Sequence, residues 1–251
     1  MMNAATTEVL HFKSRDMVYE QIFPEAGGYG ARSRLLTPAN SKTIGASMHT
    51  YDGCTIEWTT HYDQVTIVLD GMLRILTGDD YSRVIEATFG DVIWLPNGTP
   101  LKYQGEKAKT FTALYPVDWQ TRTEAVPKEM VVPEVLHIRR QDIVYEQMFP
   151  EAGGYGSRGK LLTPDNSKTI GATMHTYDGT NIEWTAHYDQ VTIVVDGTLR
   201  ILTGDNYSRV IEGKFGDVIR LPNGTPLKYQ GEKAKTFTAV FPVDWRAHTE
   251  A

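Results

Sequence analysis

The feature that most constrains this chain is that it repeats itself. Shifting the sequence by 126 positions lays Met17-Val18-Tyr19-Glu20-Gln21 on Ile143-Val144-Tyr145-Glu146-Gln147, and Phe23-Pro24-Glu25-Ala26-Gly27-Gly28-Tyr29-Gly30 on Phe149 to Gly156. The match runs without a gap to Pro116-Val117-Asp118-Trp119 on Pro242-Val243-Asp244-Trp245. Two stretches in so clean a register share one fold, and 251 residues suffice for two domains of about 100–150 residues. The reading is a first domain over 1–120, a linker over 121–134 carrying two prolines and several charges, and a second domain over 135–251.

Within each half the local signals are those of strands. Gln64-Val65-Thr66-Ile67-Val68-Leu69 and Leu73-Arg74-Ile75-Leu76 are short and β-branched, and are bounded by Gly71 and Gly78-Asp79-Asp80. Turn signals recur at Asp52-Gly53, Gly90-Asp91 and Pro96-Asn97-Gly98, and no dozen residues hold a helical period. The pattern predicts an all-β sandwich or barrel, and barrel closure would remove the exposed edges that invite aggregation.

Charge and composition narrow the partners. A net charge of −6, with acids and bases interspersed, offers no basic stripe for nucleic acid. Apolar runs such as Val65–Leu69 are far shorter than the roughly 20 residues of a membrane span. The start of the chain lacks the basic and apolar pattern of a secretory signal, and the single Cys54 fits a reducing compartment. The expectation is a cytoplasmic protein that takes a small-molecule ligand or substrate, without nucleic acid or membrane, and that is able to form a homodimer.

Two segments carry a family resemblance. Gly90-Asp91-Val92-Ile93-Trp94-Leu95-Pro96-Asn97-Gly98 resembles the second cupin motif, and His61-Tyr62-Asp63-Gln64-Val65-Thr66-Ile67-Val68-Leu69-Asp70-Gly71 resembles the first. With Trp58 and Pro116 through Trp119, each half is most similar to the ethanolamine-utilisation protein Q branch of the cupins. The resemblance implies two tandem double-stranded β-helix barrels, jelly-roll-like, in a bicupin.

Metal-dependent cupins supply two histidines and a glutamate from the first motif and a third histidine from the second. Here Gln64 takes the glutamate's place, and the histidine places fall on Trp58 and Thr60, or with one more residue on Glu57 and Thr59. The second-motif place is Leu101, and the copy repeats the pattern with Gln190, Trp184, Ala186 and Leu227. The seven histidines are His11, His49, His61, His137, His175, His187 and His248, which cannot assemble the family's three-histidine site. The expectation is therefore no cofactor and no metal site. A divalent ion (Mn, Fe, Zn or Ni) held by Glu57 and His61, joined by Gln64 or His49, is the alternative.

Strand parity outlines the pocket. If Gln64 points inward, Trp58, Thr60, Tyr62, Thr66 and Val68 share its face, while Glu57, His61 and Asp63 point away; a single β-bulge would bring Glu57, Thr59 and His61 inside instead. In the bulged case Glu57 and His61, with Glu183 and His187 in the copy, pair carboxylate with imidazole for acid–base work beside Tyr62 and Tyr188. Trp58, Gln64, Lys102 and Tyr103, repeated as Trp184, Gln190, Lys228 and Tyr229, are the candidate substrate-binding residues. The Phe23–Gly30 motif lacks the lysine-serine ending of a phosphate loop and reads as a loop at a barrel mouth. The halves differ at Trp94/Arg220, Thr60/Ala186, Cys54/Thr180, Met72/Thr198 and Tyr115/Phe241. The functional expectation is a lyase, hydratase or isomerase working by acid–base chemistry. The alternatives are a non-catalytic binding or accessory protein related to ethanolamine utilisation, including an acetate-kinase-like role, and a metal-dependent cupin enzyme.

Overall fold

The computed structural model describes residues 8–121 and 134–248. In chain order the strands are β1 (Leu10–Phe12), β2 (Glu20–Gln21), β3 (Tyr29–Leu36), β4 (Gly45–Asp52), β5 (Thr55–Thr59), β6 (Asp63–Thr77), β7 (Arg83–Ala87), β8 (Val92–Leu95), β9 (Pro100–Tyr115) and β10 (Leu136–Ile138). They continue as β11 (Tyr145–Gln147), β12 (Tyr155–Leu162), β13 (Gly171–Asp178), β14 (Asn181–Thr185), β15 (Asp189–Thr203), β16 (Arg209–Gly213), β17 (Val218–Leu221) and β18 (Pro226–Phe241). Short 3₁₀ turns join them, and among the described residues no helix is long and apolar enough to cross a membrane.

The first unit is a nine-stranded antiparallel sheet in the order β10-β8-β6-β9-β4-β3-β2, with β7 on β6 and β5 on β9. The long strands β6 and β9 bend, so that one pair serves two stretches of sheet. β6 pairs β8 through Gln64–Ile67 and β7 through Leu73–Thr77, and its register shifts at Asp70–Met72. Gly71 makes that corner at φ +64°, where a Cβ would run into the backbone of Glu106 and Lys107. Inward side chains of the bent strands form the core, with Ile56, Val68, Leu73, Ile75, Ile93, Leu95 and Leu101 packed together. Burial of each contributes roughly 1.5–3 kcal/mol. The second unit repeats the sheet as β1-β17-β15-β18-β13-β12-β11, with β16 on β15 and β14 on β18.

The compact units do not divide at the expected boundaries. β10, which the sequence reading gave to the second half, is the edge strand of the first unit, paired Leu136 to Trp94 and Ile138 to Val92. β1 does the same for the second unit, paired Leu10 to Arg220 and Phe12 to Val218. Asp91 of the second motif holds this arrangement: Oδ1 accepts the Arg140 amide at 2.8 Å, Oδ2 accepts the Thr88 amide at 2.9 Å, and His137 lies 3.5 Å away. Asp217 accepts the Ser14 amide at 2.7 Å, with His11 at 3.4 Å. Residues 122–133, most of the expected linker, lie outside the described residues.

Candidate functional site

β5 and the start of β6 decide what the cup contains. Ile56 and Trp58 alternate inward along β5, and Tyr62 and Gln64 carry the same face into β6, so the parity reading holds and the bulged alternative does not. The cavity, about 280 Å³, is walled by Phe23, Tyr51, Trp58, Tyr62, Tyr103 and Trp119, with Arg32, His49, Gln64, Thr112 and Gln120 among its polar groups. In the second unit the equivalent cavity is about 470 Å³, walled by Phe149, Tyr177, Trp184, Tyr188, Tyr229 and Trp245 around Arg158, His175 and Gln190.

The floor is a hydrogen-bond chain. The Gln64 amide donates to Tyr103 Oη at 2.8 Å and to Thr66 Oγ1 at 3.3 Å, and Thr66 shares a 2.8 Å hydroxyl bond with Thr112. In the copy, Gln190 donates to Tyr229 at 2.9 Å and to Thr192 at 3.2 Å, and Thr192 meets Thr238 at 2.9 Å. Tyr51 stacks on Tyr103 at 5.4 Å and His49 on Tyr51 at 5.9 Å, building one wall from three parallel rings. Burial raises the Tyr62 and Tyr103 phenols above their ordinary range, so both are neutral donors at physiological pH. Burial, and after it the charge of Arg32, pushes the His49 imidazole down to about 3, and burial with Arg158 does the same to His175.

At the mouth, Trp119 organises the aromatic rim. His61 stacks on it at 5.7 Å, Tyr62 meets it edge-on at 5.0 Å, and Trp58 at 6.1 Å. The Phe23–Gly30 motif supplies Phe23, whose ring contacts Trp58 at 6.0 Å. Phe23 itself adopts a left-handed backbone, φ 49°, and Gly28 packs so closely on Gly53 that no side chain fits there. The motif therefore shapes the cavity mouth.

Four of the predicted positions in each half fall in the cavity, namely Trp58, Tyr62, Gln64 and Tyr103, with Trp184, Tyr188, Gln190 and Tyr229. Glu57, His61 and Lys102 do not, nor do Glu183, His187 and Lys228. Glu57 is on the outer face, 65% exposed, where it accepts a hydrogen bond from Tyr81 Oη at 2.8 Å and pairs with Lys102 Nζ at 3.3 Å. The Tyr81 bond and then Lys102 hold its carboxyl below the usual range. Lys102 also lies 4.3 Å above the Tyr81 ring. The second unit repeats the outer triad with Glu183, Tyr207 and Lys228, and His187 stacks on Trp245 as His61 does on Trp119. The acid–base pair expected from Glu57 and His61 is thus an exposed carboxylate and a rim imidazole, turned away from the floor.

The same geometry tests the metal. Thr60 is occupied in a 2.6 Å bond to the Pro96 carbonyl, Leu101 belongs to the apolar core, and Glu57 and Gln64 lie on opposite faces, so the atypical Glu57–His61–Gln64 set cannot converge. Among the described residues no group of three or more His, Cys, Asp or Glu side chains could hold an ion. The donors present do not fit a divalent cation.

Sequence reasoning missed Arg32 and Arg158. Each sits on the second strand of its cup, and no ion-pair partner meets Arg32 among the described residues. The Arg158 Nε is buried without a hydrogen-bond partner. Burial, and after it the neighbouring Arg34, lowers Arg32 from its ordinary value, with Tyr62, Tyr51 and the Glu20 carboxylate pulling the other way. The available signal was the alternation Arg32-x-Arg34, kept as Arg158-x-Lys160 inside an otherwise small and apolar strand.

Comparison with known proteins places these cups in a lineage. The profile of the family described as Ethanolamine utilisation protein EutQ matches residues 24–121 and again 149–247. The chain belongs to the EutQ family. It is 29% identical over 89 residues to "Acetate kinase EutQ" of Clostridioides difficile and 25% identical over 88 residues to the protein of that name from Salmonella typhimurium, in each case 35% of this chain. These matches span 55% and 37% of the relatives' lengths, so each relative is matched over about half its length or less. Among solved structures, the Ylba protein of E. coli superposes with a TM-score of 0.70 at 13% identity, covering 96% of this chain and 94% of that one. A mutant of Bacillus subtilis oxalate decarboxylase OxdC gives 0.68 at 14%, covering 93% and 77%. At such identities these neighbours speak to fold alone, and the fold is a bicupin: two tandem all-β barrels in one EutQ-family chain.

Proposed function

We propose that each barrel of this EutQ-family chain binds a small organic carboxylate and that the chain is a metal-independent enzyme of the lyase, hydratase or isomerase kind. The observation that carries the reading is a guanidinium in an aromatic-walled cavity, Arg32 in one cup, with no ion-pair partner among the described residues, and Arg158 in the other, its buried Nε without a hydrogen-bond partner there. A carboxylate satisfies a guanidinium bidentately, and the aromatic walls exclude the water that would weaken the bond. Binding also changes the base. Part of what holds His49 near 3 is the charge of Arg32, so a bound carboxylate cancels that effect and adds an opposite charge, raising the imidazole toward the range where it accepts a proton. The neutral Tyr62 phenol, on the same cavity, is the donor to the departing or rearranging group. The assignment replaces Glu57 with His49 as the base.

The test pairs two variants. Arg32→Gln with Arg158→Gln abolishes carboxylate binding, whereas His49→Asn with His175→Asn keeps binding and loses turnover across a panel of hydroxy and unsaturated acids. Binding that survives the arginine changes overturns the reading. A second reading takes the relatives' names at face value: acetate is itself a carboxylate, and the cups serve an accessory role in acetate handling within ethanolamine utilisation, in the cytoplasm. ATP-dependent formation of an acyl phosphate from acetate supports that reading, and saturable binding without any turnover supports a receptor.

A further inference from the structure

The two cups share their floor, and among the positions where their linings differ one exchanges a neutral side chain for a cation. Gln120 follows Trp119 and lines the first cavity; at the same place in the copy, Arg246 follows Trp245 and lines the second. The guanidinium of Arg246 lies 5.2 Å from the Trp245 ring. Its charge reaches into the cup: against the dominant upward push of burial, Arg246 draws the Tyr188 phenol down, after Arg158 and the Trp184 indole.

The space around these cations differs in the same direction. In the first unit the groove beside the cavity is small, about 90 Å³, and meets it at Arg32, Trp119 and Gln120. In the second unit the equivalent groove is about 410 Å³ and shares Arg158, His175, Tyr188, Trp245 and Arg246 with the 470 Å³ cavity. The two chambers of the second cup lie side by side along a wall that carries two guanidinium groups, with Lys160 further along the groove. A ligand with a single carboxylate engages one of them. A longer ligand with an anionic group at each end reaches both, and two charge-assisted contacts add specificity for spacing as well as charge.

We infer that the two cups have diverged in substrate class: the first takes a monocarboxylate on Arg32, and the second an elongated dicarboxylate bridging Arg158 and Arg246. The inference rests on the carboxylate reading above, and Gln120/Arg246 is its specificity-determining position. Silencing one cup at a time isolates the other. Calorimetric titration of the full chain carrying Arg32→Gln reports the second cup, and of the chain carrying Arg158→Gln the first, with butyrate, succinate and glutarate as probes. In the Arg32→Gln background the dicarboxylates bind roughly tenfold more tightly than butyrate, the difference expected for one added charge-assisted contact. Arg246→Gln removes that preference. In the Arg158→Gln background butyrate binds at least as well as the dicarboxylates, and Gln120→Arg raises dicarboxylate affinity. Equal affinity for both classes in the second cup, or a preference untouched by Arg246→Gln, overturns the divergence and leaves the carboxylate reading standing. Failure of all three probes in both backgrounds sinks the two together.

Discussion

Each barrel carries two polar networks a strand's thickness apart, and they make different claims on the molecule. The inner one, Gln64 with Tyr103, Thr66 and Thr112, is buried at the floor of the cup. The outer one, Glu57 with Tyr81 and Lys102, is exposed on the back of the same sheet. The outer groups show the more familiar catalytic chemistry, a carboxylate and an ammonium 3.3 Å apart, yet water screens them and they face no cavity. The inner groups are neutral, but a missing partner there leaves a buried dipole unsatisfied. Burial, not the chemical reactivity of the side chains, separates the cavity face from the outer one.

The largest effect expected from that contrast is with pH. Folded His49 and His175 are held down to about 3, against 6.5 for a free imidazole, so between these values the unfolded chain binds protons that the folded chain refuses. Their contribution is fully present above about 6.5 and is lost as pH falls toward 3, by about 1.4 kcal/mol per pH unit for each ring. Urea denaturation of wild type against His49→Asn with His175→Asn across this window measures it; equal slopes would show that the rings titrate normally. Next is the floor: Gln64→Leu strands the Tyr103 hydroxyl and costs about 1–3 kcal/mol, and Gln190→Leu adds independently because it belongs to the other unit. Non-additive losses would break the picture of two separate floors. The smallest effect is on the back: Glu57→Gln leaves both the unfolding midpoint and carboxylate affinity where they are. A clear loss of binding in Glu57→Gln would erase the distinction between the faces.

Much of this was legible beforehand, and the part that was not has a physical cause. Repeat, strand content and family follow from patterns a few residues long, and alternation along Trp58, Tyr62 and Gln64 marked the cavity face, because side-chain direction in a strand is a local property. Whether a bulge intervened was not local; it depended on the pairing of β5 with β9, Ile56 to Tyr103 and Glu57 to Lys102. Arg32 escaped for the same reason, since β3 becomes a cup wall only after pairing β4, with Arg32 opposite His49. The edge strands escaped because the repeat itself hides them: β1 and β10 are equivalent in sequence, each offers a histidine to an aspartate, and nothing local says which sheet either joins.

What unites the two cups is the cavity-lining guanidinium that we assign as the anchor for an organic anion. Isothermal titration of the full chain with butyrate tests that assignment directly by counting sites. Two sites per chain are expected in wild type, one after Arg32→Gln, one after Arg158→Gln and none when both are changed, with every variant retaining its fold by circular dichroism. A doubly substituted chain that still binds as wild type does would contradict it.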